Sequence, residues 1–225
     1  MTALALFDLD HTLLDGDTDV LWCEFLMERG ELDRKLFEPR NRAKEERYKA
    51  GTVGVREFCE FYVGTLAGRS PAQWAATREA FFERCIAPRL LPAGRDCIAQ
   101  HRSQGHTVVL TTATNRFLVE PTASALSIDH LLATECETDA QGRFSGRVAG
   151  EPNMREGKLV RLNAWLEARG QTLASLPTTF YSDSINDVPL LRAVGTAVAV
   201  NPDARLRAEA QARGWAVQHW RAHPG

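Results

Sequence analysis

No apolar run in this 225-residue chain approaches the ~20 residues that a membrane-spanning helix needs. No membrane association is expected on that ground. There is no surplus of charge either. With 27 Lys and Arg against 29 Asp and Glu, the formal net charge is −2, which gives neither the basic footprint of a nucleic-acid binder nor a polybasic lipid patch. The first residues lack a basic segment, and Asp8 and Asp10 interrupt what would be an apolar core, so no signal peptide is expected. Cysteine is sparse and unpatterned. Cys23, Cys59, Cys85, Cys97 and Cys136 are odd in number and form no C-x-x-C pair. They read as small buried hydrophobes in a reducing, cytoplasmic compartment. Repeats and low-complexity segments are also missing. What remains is ordinary globular composition, 44% apolar and 25% charged, in a chain long enough for a core with a modest insertion.

Against that plain background one stretch stands out. Ala3 to Phe7 is an apolar run leading directly into Asp8, Leu9, Asp10, His11 and Thr12. A short apolar run bounded by polar residues suits a strand buried on both faces. Alternation along it sends Asp8 and Asp10 off its C-terminal end on one side. Two carboxylates that close need a cation, a shared proton or separate roles.

Beyond Thr12 the texture changes. From Thr18 to about Pro88 the apolar residues fall at helical spacing, with Gly30, Gly51 and Gly68 as stops and Ser70-Pro71 as a helix start. The spacing predicts about four helices, forming an all-helical cap over 17–87 inserted into a core of 1–16 and 88–225. The core alternates strand and helix. Strands are expected at Thr107–Thr112, Leu131–Thr134, Thr178–Ser182 and Thr196–Val200, and helices at Arg95–Gln104, Asn115–Leu126, Gly157–Arg169, Asn186–Arg192 and Asp203–Arg213. Glu135 to Ala149 reads as a hairpin excursion. The predicted class is α/β, a Rossmann-like parallel sheet with helices on both faces. Such sheets bind ligands at the C-terminal ends of their strands. Polar residues gather there: Asp8, Asp10, Thr111, Thr112, Ser182, Asp183, Asn186 and Asp187.

Asp183 and Asp187, read as i, i+4 at a helix start, share a face. With Asp8 and Asp10 they bring four carboxylates toward one point, a hard-oxygen set suited to Mg²⁺. Lys158, following Gly157 at another helix start, can bring a compact cation to the same rim.

Four segments in order, Phe7-Asp8-Leu9-Asp10-His11-Thr12, Leu110-Thr111-Thr112-Ala113, Gly157-Lys158 and Ser182-Asp183-Ser184-Ile185-Asn186-Asp187, resemble the signature motifs of the haloacid dehalogenase superfamily. The layout is similar to its phosphoserine-phosphatase-like branch, which includes bacterial histidinol-phosphate phosphatases. The resemblance implies a Mg²⁺-dependent phosphomonoester hydrolase working through an aspartyl-phosphate on a small-molecule phosphate, with histidinol phosphate and phosphoserine as candidates. Asp8 is then the nucleophile, and Asp10 the acid for the leaving alkoxide and the base for water. Asp8, the Asp10 carbonyl and Asp183 hold the metal, with Asp187 as a further or outer ligand. Thr112 and Lys158 bind the phosphoryl oxygens, Thr112 being preferred to Thr111 because it precedes the small Ala113. Asn186 orients substrate or Asp183. Asp17, nine residues after Asp8, faces a cationic group of the substrate.

Each residue has a plainer reading. Asp17 suits the N-cap of the helix from Thr18. Lys158 has Arg155 and Arg161 as nearby rivals. His11 lies between motif residues but is expected to point away. Rival functions are phosphotransfer to an acceptor other than water and silent phosphate binding on the same fold. A phospho-receiver needs neither Asp10 nor a helical insert, and a dehalogenase needs no metal cluster.

Overall fold

The computed structural model describes residues 3–49 and 52–220. Ala50 and Gly51, where the second helix was expected to stop, lie outside them. A seven-stranded sheet carries the core, in the order β4-β3-β2-β1-β5-β6-β7. These strands are β1 (Leu4–Phe7), β2 (Thr107–Asn115), β3 (His130–Thr138), β4 (Phe144–Ala149), β5 (Thr178–Ser182), β6 (Thr196–Val200) and β7 (Ala216–Gln218). All neighbours run parallel except β3 and β4, the expected hairpin. β1 lies between β2 and β5, where the chain's two directions of travel diverge. That is the switch point at which open α/β sheets form a ligand crevice.

Alternation along β1 divides the core. Leu4 and Leu6 face a cluster with Val109, Phe180, Leu162, Leu166, Leu190 and Leu206. Ala5 and Phe7 face another with Leu110, Tyr181, Ile98 and Phe117. Helices therefore cover both faces: α5 (Pro92–Ser103) and α6 (Arg116–Ala125) on one side, and α7 (Glu156–Glu167), α8 (Val188–Ala193) and α9 (Ala204–Arg213) on the other. β1 is buried throughout, so a near-continuous apolar run is what its position demands.

Between β1 and α5 every regular element among the described residues is helical: α1 (Thr18–Glu28), α2 (Arg34–Lys49), α3 (Val55–Val63) and α4 (Pro71–Phe81), with short 3-10 and π turns after α3 and α4. Ser70 caps α4 in a reciprocal capping box with Gln73, and Pro71 fills the first turn. Trp22, Phe25, Trp74 and Phe81 meet stacked, edge-on or tilted at centroid distances of 5.1–6.2 Å. They are all buried and join the cluster that contains Phe7. Each such side chain contributes about 1.5–3 kcal/mol through burial. The two connections to the sheet run side by side, with Asp15 N donating to Arg89 O at 2.9 Å and Leu91 N to Leu13 O at 2.8 Å.

Some boundaries differ from the sequence reading. The stripe through α3 breaks at Val63 instead of reaching Leu66. α5 begins three residues earlier, at Pro92, because proline suits a first helical turn. β2 runs on to Asn115 through an irregular register against β3. Asp183 is not helical. A 3-10 turn, Ile185–Asp187, separates it from α8, so the expected i, i+4 helical pair does not form. β7 had no signal, being three residues long and exposed.

Candidate active site

The C-terminal ends of β1, β2 and β5 open onto one cavity of about 150 Å³. Asp8, Asp10, Asp17, Lys158, Asp183, Asn186 and Asp187 all line it. Its floor is a buried ion triad. Lys158 Nζ donates to Asp8 Oδ1 and to Asp187 Oδ2, both at 2.7 Å. Ser182 Oγ adds a 2.7 Å bond to Asp187 Oδ2. Lys158 is 2% exposed, so its ammonium depends on these two carboxylates for nearly all its compensation. They hold its pKa above the ordinary lysine value against the opposing effect of burial. Asp8 shows the converse. Burial dominates and pushes its carboxyl up to about 7, although Lys158 pulls the other way.

The backbone before α7 explains how Lys158 gets there. Arg155 has φ 53°, and Gly157 approaches Pro152 so closely that a Cβ would sit 2.0 Å from its carbonyl oxygen. Only glycine fits that approach, and the next residue enters the cavity floor. The rivals go elsewhere. Arg161 Nη2 pairs with Glu135, and Arg155 Nε donates to Asn186 Oδ1 at 3.3 Å.

Asp10 is held quite separately from Asp8. Thr18 N donates to its Oδ1 at 2.8 Å, joined by the Thr18 hydroxyl. Its Oδ2 accepts from Thr114 Oγ1 at 2.8 Å and Thr112 Oγ1 at 3.3 Å. Two carboxylates two residues apart thus have independent donor sets, as two different roles require.

Thr112 is placed differently from the sequence reading. It is fully buried behind Asp10, accepts from Thr114 N and does not line the cavity. Ala113 and Thr114 line it instead. The reason lies in β2's irregular end. Buried Asn153 donates through Nδ2 to Thr111 Oγ1, Thr112 O and Leu132 O at 2.9–3.0 Å. That clamp splays β2 from β3 and carries Thr114 to the rim. Thr111 is consumed by the clamp as well, so neither residue of the Thr111-Thr112 pair faces the cavity.

Asp187, expected as a further or outer ligand, is tied into the floor. Its Oδ2 is engaged by Lys158 and Ser182, making it an anchor for the lysine. Among the described residues, no three His, Cys, Asp or Glu side chains gather as a metal-binding group. Like charges have separated, each taking its own donor. Two oxygens do converge. Asp8 Oδ2 and Asp183 Oδ1 each lie 3.3 Å from the Thr12 hydroxyl, which itself accepts from Asp183 N at 3.0 Å. Burial, then the charges of Asp8 and Asp187, push Asp183's carboxyl well above the usual range. A hard divalent cation relieves that repulsion, and Mg²⁺ is commonly held by one or two carboxylates with water and substrate oxygens completing its shell. The residues present fit it.

Asp17 caps α1, accepting from Val20 N at 2.9 Å, while still lining the cavity. Burial, then the charge of Asp10, pushes its carboxyl up to about 6. His11 is exposed, has φ 56° and lines the cavity at its rim. Sequence reasoning gave no role to Asp19, Phe58, Tyr62 or Met154, which complete the walls. Asp19 stands two residues from Asp17 and was findable. Phe58 and Tyr62 belong to an apolar helical stripe that carries no mark of a site.

Comparison with known proteins fits this geometry. Residues 5–192 match the haloacid dehalogenase-like hydrolase family, and the chain belongs to it. It is 38% identical over 222 residues to a protein of Neisseria meningitidis serogroup C (strain 8013) named histidinol-phosphatase, covering 98% of this chain and 100% of that one. It is 35% identical over 233 residues to the phosphoserine phosphatase SerB1 of Mycobacterium tuberculosis, covering 98% of this chain and 72% of that one. A crystal structure of a Bordetella pertussis Tohama I protein of unknown function superposes with a TM-score of 0.91 at 43% identity, over 97% and 99% of the two chains.

Proposed function

We propose that this protein is a Mg²⁺-dependent phosphomonoester hydrolase that forms an aspartyl-phosphate on Asp8. The observation that carries the proposal is the separation of the two carboxylates at the tip of β1. Asp8 has one oxygen fixed by Lys158, while Asp10 is held by three threonines. In the first half-reaction an Asp8 oxygen attacks phosphorus and the ester P–O bond breaks. Asp10 gives its proton to the departing alkoxide. In the second, water attacks phosphorus, Asp10 takes a proton from it, and Asp8 is restored as inorganic phosphate leaves. Lys158 offers a donor to the phosphoryl oxygens, while the Thr114 hydroxyl at the rim donates to Asp10. Asn186, tied to Arg155, orients the rim. Asp8, Asp183 and the Asp10 carbonyl would hold Mg²⁺, which neutralises the approach of a carboxylate to an anionic phosphate and favours ionised Asp8.

The small cavity supports a small-molecule ester. The family's histidinol-phosphatase and phosphoserine phosphatase relatives make amine-bearing phosphates the first candidates. No arginine lines the cavity among the described residues, so the carboxylate of phosphoserine lacks a guanidinium partner. An amino-alcohol phosphate such as histidinol phosphate needs none. Residues 17–87 act as a cap on a core of 1–16 and 88–225, moving on the paired connections at 14–18 and 84–92 and excluding bulk water when closed. The five free cysteines support a reducing, cytoplasmic setting.

The test is phosphate release from amino-acid, amino-alcohol, sugar and nucleotide monophosphates with Mg²⁺, using Asp8→Asn as blank. Release that disappears on chelation, returns with Mg²⁺ and is absent from Asp8→Asn supports the proposal. Undiminished release by Asp8→Asn sinks it. Added alcohols that divert phosphate into new esters mark phosphotransfer instead.

A further inference from the structure

The two edges of the sheet are finished differently. At one edge β7 is exposed. At the other, β4 is the last strand, yet its outer side is covered. Gly68 N donates to Phe144 O and Phe144 N to Arg69 O, both at 2.9 Å. Val148 N donates to Glu60 Oε1 at 3.2 Å. Arg56 donates through Nη1 to Val148 O at 3.0 Å and through Nη2 to Gly150 O. All of these partners lie between residues 56 and 69 of the helical insert. A strand edge without partners is a liability, and here the insert removes it. Side chains close the same seam. Cys59 and Val63 of α3 form a small buried cluster with Val148 of β4. Gly146 comes so near that a Cβ on it would stand 3.2 Å from that of Ala67.

The hairpin's polar ties to the rest of the core lie at its roots. Arg116 Nε donates to both oxygens of Glu135, at 2.9 and 3.0 Å, and Arg161 Nη2 adds a third bond at 3.0 Å. Arg161 Nη1 reaches Glu151 O at 3.2 Å. The pairing of β3 with β2 has already ended at Thr134. Between those roots, among the described residues, every hydrogen bond that leaves 137–150, apart from the ladder of β3 with β4, goes to the insert. Two joints flank this stretch. The ladder register slips between Cys136 and Thr138, and Gly150 has φ 65°. Hairpin and insert also rest on one core side chain. Phe144 meets the Phe117 ring edge to face at 5.1 Å, and Arg78 of α4 lies over that ring at 4.5 Å, with bonds to Phe117 O and Glu120. A ring contact lacks the strict direction of a hydrogen bond and tolerates sliding, whereas the five-bond seam does not.

Resting on the cap motion in the function proposed above, we propose that residues 137–150 are part of the moving cap. The hairpin and the helices over 17–87 shift as one body against the sheet, turning at 136–138 and 150–151. Bonds made across space then set the limit of the cap, in place of the points where the insert enters and leaves the core. Met154, on the core side of the second joint, packs against the Cys59, Val63 and Val148 cluster and lines the cavity, which carries the shift to the site.

The test uses spin labels at three exposed positions, Ala76 of α4, Gln141 at the hairpin turn and Gln171 after α7. Double electron–electron resonance compares the protein alone with the protein in Mg²⁺ and inorganic phosphate. The distances from Gln171 to Ala76 and from Gln171 to Gln141 are both expected to shift by about 2 Å or more, while that from Ala76 to Gln141 stays fixed. A shift between Ala76 and Gln141 with Gln141 fixed against Gln171 overturns the proposal, because the hairpin then stays with the sheet. No shift in any pair overturns it together with cap gating. The phosphatase reading still stands in that case if wild type releases phosphate and Asp8→Asn does not. Amide hydrogen exchange supplies an arm that needs no ligand. The Phe144 and Val148 amides, whose acceptors are Arg69 and Glu60, are expected to be protected to within about tenfold of the buried Tyr62 and Val63 amides of α3. Weaker protection than that shows a seam that opens by itself and overturns the one-body assignment.

Discussion

At the floor of the cavity, two carboxylates and an ammonium contact one another at 2.7 Å, with Ser182 as a further donor. At the outer wall, Asp19 Oδ1 is closed off from solvent without a hydrogen-bond partner, and the rings of Phe58 and Tyr62 line the cavity. Both regions are acidic, and among the described residues that line the cavity the one lysine stands at the floor. The difference teaches how one pocket divides its work. A floor whose charges are mutually satisfied is rigid and can place a nucleophile. A wall with unmet charge does little until a ligand supplies what it lacks, which is how a site discriminates among substrates.

Removing the floor's nucleophile has the largest expected effect. Asp8→Asn lowers kcat by about 10⁴-fold or more, measured as phosphate release with Mg²⁺. Removing its cation comes next. Lys158→Met leaves Asp8 and Asp187 buried without compensation and costs about 3–5 kcal/mol of stability, read by urea unfolding. A loss below about 1 kcal/mol contradicts the view of the triad as the floor's keystone. The third prediction sharpens the boundary between floor and rim. Thr114→Ala removes a bond to Asp10 at the cavity rim, lowering kcat about 10–100-fold, from the ~1.5–3 kcal/mol of a bond to a charged group. Thr112→Ala, away from the cavity, costs activity less. The reverse order would restore the sequence-based choice.

The smallest effect belongs to the wall. Asp17, pushed up to about 6, binds its proton more tightly folded than unfolded. It therefore contributes stability at low pH that is lost as pH rises from its ordinary value of 3.8 to about 6. Asp17→Asn still caps α1 but carries no titrating proton, so Tm falls less steeply with pH over that window. Asp8, raised to about 7, and the raised carboxyls of Asp183 and Asp19 keep a residual decline across that window and beyond it. An unaltered curve shows that Asp17 does not titrate there.

Much of the site was legible because its chemistry is local in the chain. Asp8 and Asp10 follow directly from a buried strand, and Gly157 precedes Lys158 where a close backbone approach excludes any side chain. Residue type and neighbour suffice for such positions. Thr114 was missed because β2 seemed to end where its β-branched run ended. Asn153, 39 residues later, holds the extra length open. The bond from Lys158 to Asp187 could not be read from the sequence because the lysine arrives from another helix.

Sequence alone determined the α/β alternation, the helical insert, the two-faced burial of β1 and which carboxylates lie at strand ends. These follow from side-chain periodicity and from the sharp change of polarity at Asp8. Tertiary structure alone decided which hydroxyl reaches the cavity and which carboxylates neutralise the lysine. Such matters depend on contacts between residues tens of positions apart, where burial removes water and every charge must find its partner through space.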